Sequence, residues 1–196
     1  MYRFIGKVYK LIRNGYTRII DKLESIYFSS FSKSGHKVCL HKPTYILNPE
    51  FISHSYIVSG PGLRIECISR YREYNYCPEL IIGNNTRFNY NCHIGCCNKI
   101  IIGNNVLIGS NVLIIDHQHG NLSSRQDISA PPENRELISS GPVIIEDNVW
   151  IGENVCILPG VKIGKNSVVG ASSVVTKNIP EYSIAVGNPA KIIRTL

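Results

Sequence analysis

The residues best suited to chemistry are two histidines, two positions apart and beside an acid: Asp116-His117-Gln118-His119-Gly120. An imidazole can take a proton from an alcohol near neutral pH, provided one ring nitrogen is held by an acceptor and the other left open. Asp116 is placed either to orient an imidazole or to fix the turn. A lone histidine is usually structural, but a pair at the mouth of an irregular stretch points to a general base. Upstream, Asn89 lies in the run Asn-Thr-Arg-Phe-Asn-Tyr-Asn. With Asn84, Asn85 and Asn91 it could simply occupy a corner that needs positive φ. A second cluster, Cys92, His93, Cys96 and Cys97, lacks the separated Cys-x-x-Cys pairs of a structural zinc site. No metal is expected from it. A cysteine nucleophile is not expected either, because the loop histidines already supply a candidate base.

A period of six must position these residues. Stepping by six from Ile145 gives Ile151, Ile157, Ile163, Val169 and Val175, all aliphatic. The same register holds Ile102, Ile108 and Ile114, and earlier Ile82, Phe88 and Ile94. A fainter version runs through Leu40, Ile46, Ile52 and Val58. Glycine follows the aliphatic residue at Gly83, Gly95, Gly103, Gly109, Gly152, Gly164 and Gly170. A helix repeats every 3.6 residues and an alternating strand every two, whereas a six-residue repeat points to a parallel β-helix. Short Ile- and Val-rich strands would each aim a side chain inward, and Gly or Asn would supply positive φ at the corners. The twelve clear positions make about four three-sided coils, and the fainter register adds one or more. Residues 59–80 break the period and are expected to mix a coil with a short excursion.

The period also stops for 27 residues, 116–142, which include Pro131-Pro132, Gly120 and Gly141. Long loops that interrupt a compact repeat usually carry function. This one opens on the histidine pair.

The motifs resemble the hexapeptide-repeat acyltransferases, in particular the sugar and polysaccharide O-acetyltransferases with an Asp-His-x-His-Gly signature. The likeness is good over residues 80–196 and loose over 36–80. It implies a left-handed parallel β-helix, mainly β, and acetyl coenzyme A as co-substrate. It makes His117 the general base, places His119 at the acyl and acceptor end of the site, and turns Asn89 towards the acceptor hydroxyl or the developing oxyanion, where an amide N–H donor suits both tasks. The block Val-Trp-Ile-Gly-Glu-Asn-Val-Cys-Ile-Leu-Pro-Gly and the ending Ser-Ile-Ala-Val-Gly-Asn-Pro-Ala-Lys-Ile-Ile-Arg carry the cofactor side. The resemblance sets the backbone of Gly152, Ala171 and Ser172 along the pantetheine arm, and Thr176, Lys177, Lys191 and Arg194 towards the nucleotide. Cations there suit a 3′-phosphate and a pyrophosphate. Trp150 either flanks the acetyl channel or is a surface aromatic. The family also implies a homotrimer with the site between coils, and an acceptor drawn from bacterial O-antigen or capsule units. N-acetylation of a nucleotide-linked amino sugar and antibiotic acetylation are the alternatives on the same fold. A zinc carbonic anhydrase-like β-helix would need three converging histidines, which His36, His41, His54, His93, His117 and His119 do not suggest. A non-catalytic binding solenoid fits poorly with the histidine loop and the cofactor-like ending.

The remaining features are those of the whole chain. Its 196 residues suit one domain with a small appendage. The expected division is a segment 1–35, then a β-helix domain 36–196 with the 116–142 loop and a cap at 180–196. Seven cysteines and no secretory signal suggest reduced thiols and a cytoplasmic setting. No apolar run reaches about 18 residues, so no transmembrane helix is expected. The net charge is +7. Residues 1–28 hold six bases, Arg3, Lys7, Lys10, Arg13, Arg18 and Lys22, against Asp21 and Glu24, which is +4 of that total. Apolar residues there recur at helical spacing (Phe4, Val8, Leu11, Ile12, Tyr16, Ile19, Ile20, Leu23, Ile26, Tyr27), giving an amphipathic helix, or two parted near Asn14-Gly15. Either it packs on the rest of the protein or its basic surface meets the inner face of an anionic membrane. No basic-aromatic module for nucleic acid is present.

Overall fold

In a computed structural model of the chain, residues 2–33 and 38–196 are described, with the side chains of 2–11 and 13 left aside. The proposed 35/36 boundary and His36 therefore lie outside the described residues, as do the side chains of Arg3, Phe4, Lys7, Val8, Lys10, Leu11 and Arg13. One helix, Tyr2–Phe31, precedes a parallel β-helix. It runs unbroken through Asn14-Gly15, so the one-helix alternative holds. Nothing lies within 4 Å of a Cβ placed on Gly15.

The β-helix has three faces. Face 1 stacks 38–39, 57–59, 86–88, 107–108, 150–151, 168–169 and 183–186 in parallel, and 191–195 closes it antiparallel. Face 2 stacks 44–47, 63–67, 93–96, 113–115, 156–157 and 174–175. Face 3 stacks 52–54, 79–82, 99–102, 143–145 and 162–163, with Ile179 bridging to Ile163 as a last rung. The chain visits the faces in the order 1, 2, 3 in each of six coils. The fainter register supplies the first coil. The aperiodic stretch 59–80 contains part of the second, with a two-stranded excursion, Arg70–Tyr71 against Tyr74–Asn75, pushed out between faces 2 and 3.

Two details correct the reading of the repeat. Each of the twelve clear units buries two side chains, not one: the register residue and the residue two before it, as in Val149 with Ile151 and Val155 with Ile157. Alternation along a strand puts i and i+2 on one side, so both enter the prism. In the second coil the buried pair is Ile57 and Ser59, while Val58 between them is only half-buried. The step of six slips by one there.

The corners differ too. The register glycines do not carry the positive φ. That conformation falls on Asn85, Asn105, Asn148 and Asn166 at the corner from face 3 to face 1, and on Asn91, Asn111, Asn154 and Ser172 at the corner from face 1 to face 2. Asparagine tolerates the left-handed region because its short side chain finds local partners. Here the amides also bond from coil to coil: Asn85 donates to Asn105 (3.0 Å), Asn105 to Asn148 (3.3 Å) and Asn148 to Asn166 (3.0 Å). The glycines answer another demand, close approach of stacked backbones. A Cβ on Gly109 would sit 2.7 Å from the nitrogen of Glu153, and one on Gly152 2.6 Å from that of Ala171.

The N-terminal helix lies on the first coil. Phe28 is buried and stacks on the His54 ring, 4.9 Å between centroids. Both acids of the helix turn towards the coil. Asp21 accepts from the Lys42 amide (2.9 Å), and Glu24 pairs with the Lys42 ammonium (2.9 Å) and accepts from Thr44. Ser25 accepts from the Leu40 amide (3.0 Å).

Candidate active site

The 116–142 loop leaves the coil at the corner from face 2 to face 3. Asp116, its first residue, is fully buried. One carboxylate oxygen accepts from the amide of Cys97 (2.9 Å) and from His117 Nδ1 (2.9 Å), the other from the amide of Asn98 (2.9 Å). Asp116 thus does both tasks open to it: it ties down the turn of the coil below and orients the imidazole. Burial alone would raise its pKa, but the bonds from His117, Cys97 and Asn98 outweigh that and hold the carboxyl below its usual range. With Nδ1–H donated to the carboxylate, His117 presents Nε2 as the free acceptor.

A residue without a sequence signal of its own makes room for this ring. Gly95 faces outward on face 2, and a Cβ there would stand 3.2 Å from His117 Cε1, 3.3 Å from Ile115 Cγ2 and 3.9 Å from His117 Nε2. The imidazole lies over the backbone of the preceding coil. In sequence, Gly95 resembles every other glycine of the repeat.

His119 sits two residues on, exposed, in a short antiparallel pair of Gln118–His119 with Leu137–Ile138. The ring of Tyr71 meets it edge-on at 5.5 Å. Tyr71 belongs to the 70–75 excursion, and its hydroxyl donates to the carbonyl of Glu133 (2.7 Å), while Arg72 pairs with the Glu133 carboxylate (3.3 Å). The Tyr76 hydroxyl accepts from the amide of Leu137 (3.0 Å). The two departures from the repeat therefore brace each other beside the histidines. Sequence reasoning named both stretches but not these contacts.

The other site residues divide between two corners. Thr176 and Lys177 lie exposed at the same corner as His117, two coils further on. Asn89, Gly152, Ala171 and Ser172 lie at the corner from face 1 to face 2, and Trp150 is half-exposed on face 1 between Leu107 and Val168. A groove of about 510 Å³ runs there, lined by Asn89, Trp150, Gly152 and Ala171 among others. Lys191 and Arg194 sit on the closing strand at the edge of face 1. Asn89 is not at positive φ, so the corner role belongs to Asn85 and Asn91 and not to it or Asn84. Within one chain the groove and the base are separated by the width of face 2, roughly 15 Å for a strand of four or five residues. Reacting atoms must come to about 3–3.5 Å. The single chain does not bring the two sets together.

The cysteines do not converge on a metal. Cys92 and Cys96 point into the core while His93 between them points out. Cys97, Asp116 and His117 do place donor atoms within 4.8 Å of one another. Both oxygens of Asp116, however, are already engaged by N–H groups. Burial, with Asp116 close by, pushes the Cys97 thiol up to about 12. Burial likewise pushes Cys92 up to about 11.

Comparison with known proteins gives this geometry its context. A profile described as bacterial transferase hexapeptide (six repeats) matches residues 142–177, and one described as hexapeptide repeat of succinyl-transferase matches residues 99–115. The Escherichia coli K12 chain WbbJ, named provisionally as a lipopolysaccharide biosynthesis O-acetyl transferase, is 38% identical over 155 residues, covering 78% of this chain and 76% of its own. The protein belongs to the hexapeptide-repeat acetyltransferases. It is a transferase that uses acetyl coenzyme A. The galactoside O-acetyltransferase of Escherichia coli K12 is 38% identical over 63% of this chain, but that match spans only 57% of the relative. Among solved structures, the hexapeptide-repeat containing acetyltransferase of Vibrio cholerae O1, in complex with acetyl coenzyme A, is similar at TM-score 0.60 and 29% identity, over 93% of this chain and 84% of that one.

Proposed function

We propose that this acetyltransferase moves the acetyl group of acetyl coenzyme A onto a hydroxyl of a bacterial surface saccharide, an O-antigen or capsule unit, with His117 as general base. The observation that carries this reading is the buried Asp116 carboxylate fixing His117 Nδ1 at 2.9 Å, which leaves Nε2 open. Nε2 takes the hydroxyl proton as the oxygen attacks the thioester carbonyl. The new C–O bond forms, the C–S bond breaks, and the imidazolium returns the proton to the departing thiolate. Asn89 and backbone amides of the groove stabilise the oxyanion. Gly152, Ala171 and Ser172 line the pantetheine arm. Thr176, Lys177, Lys191 and Arg194 face the phosphates, and among the described residues none of the three cations has an acidic partner.

The two corners become one site when copies of the chain associate. A threefold ring sets the His117 corner of one copy against the grooved corner of the next, and one repeated contact closes it. The acceptor reading draws on the similarity to WbbJ and to galactoside O-acetyltransferase.

The N-terminal helix supports work at the inner face of a membrane. Ile12, Tyr16, Ile19, Leu23, Ile26, Tyr27 and Phe31 are all more than half exposed and form one stripe opposite Phe28. Its acids face the coil, and the basic side chains among the described residues, Arg18 and Lys22, are exposed, a pattern that suits an interfacial helix. No described helix is long and apolar enough to cross a membrane.

Paired acceptors test the reaction. The protein is given acetyl coenzyme A with a hydroxyl sugar and with its amino analogue, following free thiol and product mass. A base-labile ester on the hydroxyl sugar is expected. Product formed solely as an amide on the amino analogue overturns the assignment in favour of N-acetylation.

A further inference from the structure

The order of parts along the coil axis locates the acceptor. The groove runs from Asn89 of coil three to Ala171 of coil six, the cations lie at its far end, Lys177 on coil six and Lys191 and Arg194 on the closing strand, and His117 extends from coil four over Gly95 of coil three. The donor approaches from the C-terminal end, so the acceptor must lie on the other side of the imidazole, over coils two and three. Face 2 carries a polar cluster there. Glu66 accepts from Arg64 (2.8 Å) through one oxygen and contacts His93 Nε2 (2.8 Å) through the other. Glu66 is the in-register neighbour of Gly95, and Arg64 of His93. Adjacent strands are about 4.8 Å apart, so Glu66 stands one strand from the glycine beneath the His117 Cε1–Nε2 edge. All four residues share the outward side, since Leu63, Ile65 and Cys67 and their partners Ile94 and Cys96 point in.

Neither the coil nor the loop uses this cluster. His93 is a third exposed, and its Nδ1 has no bond among the described residues. The Arg64 guanidinium lies 5.9 Å from the ring centroid of Tyr45, which is half-exposed on the same face. Burial would raise the pKa of Glu66, but the bonds from Arg64 and His93 prevail and lower it, so the group presents a carboxylate. A carboxylate, an imidazole and an aromatic face side by side match the vicinal hydroxyls and the apolar face of a hexopyranose.

We infer that Glu66 and His93 form the acceptor subsite, binding adjacent hydroxyls of a neutral saccharide so that a further hydroxyl lies under His117 Nε2. This rests on the O-acetyl transfer reading above.

The test uses the full-length protein, acetyl coenzyme A and methyl glycosides of glucose, galactose and mannose. Glu66→Gln and His93→Ala are expected to raise the acceptor KM about tenfold or more each. The kcat at saturating acceptor stays within a few-fold of wild type, and the Kd for acetyl coenzyme A by calorimetry is unchanged. Glu66→Asp recovers part of the loss. A wild-type chain that esterifies no saccharide overturns the transfer reading and the subsite with it. A wild-type chain that esterifies one, while both variants keep the wild-type KM, overturns the subsite alone. So does parallel weakening of acetyl coenzyme A binding, the mark of a merely structural pair.

Discussion

Gly95→Ala isolates the contact on which the placement of His117 depends. Gly95 is not at positive φ, so alanine meets no backbone strain. The added Cβ would stand 3.2 Å from His117 Cε1 and 3.3 Å from Ile115 Cγ2. Comfortable carbon contacts begin near 3.5–4.0 Å, so the ring must lift by about 0.3–0.5 Å while Asp116 still holds Nδ1. A misplacement of about 1 Å can cost ~10²-fold. On a logarithmic scale the smaller shift costs about 3–10-fold in kcat. Folding should hardly notice: the strain is offset by the lower unfolded-state entropy of alanine, about 0.4–1 kcal/mol. The assay is steady-state acetyl transfer with thermal unfolding on the same preparation. Full kcat, or a fall in kcat matched by a melting point lowered by many degrees, would refute the reasoning.

Asp116→Asn should cut kcat by at least ~10²-fold, because an amide can present a donor to Nδ1 and favour the wrong tautomer; transfer kinetics on the folded variant check this. The same change alters acid stability. The folded pKa of Asp116 lies below its unfolded value, near 3.9, so its contribution is complete above that pH and is lost as pH falls through the folded value. The variant should be less stable at neutral pH and lose less on acidification to pH ~3, as read by denaturant unfolding. Ile19→Glu with Leu23→Glu should abolish co-sedimentation with vesicles containing phosphatidylglycerol while leaving transfer to a soluble acceptor intact; equal sedimentation by wild type and variant contradicts the helix assignment. Asn148→Ala, at φ 58° in the middle of an amide ladder, should cost about 1–2 kcal/mol, measured by denaturant unfolding.

Much of the scaffold was legible because one physical demand repeats. Each flat side must bury aliphatic side chains, and the spacing of Ile145 to Val175 records it. The second coil was only faintly legible because Ile57 and the polar Ser59, rather than Val58, enter the core and the 70–75 excursion separates two of its strands. Gly and Asn were assigned one shared corner role because both tolerate positive φ. Only the stacking of the coils separates φ at Asn148 from backbone clearance at Gly152. At the site, the histidine pair stood out as a pair of rare residues at the edge of a break. The two tasks of Asp116 depend on amides of Cys97 and Asn98, contributed by another coil, and sequence spacing does not report them. Gly95 and Glu66 carried no signal, since one looks like any repeat glycine and the other like any surface acid. The separation of Asn89 from His117 follows from which corner each occupies.

The most direct test of the account is the rate of acetyl transfer to a saccharide hydroxyl by folded His117→Ala. General base catalysis is worth about 10²–10⁴-fold. A loss of at least ~100-fold, with the melting point and acetyl coenzyme A affinity preserved, is the predicted result. Acetylation at close to the wild-type rate by the folded variant would contradict it.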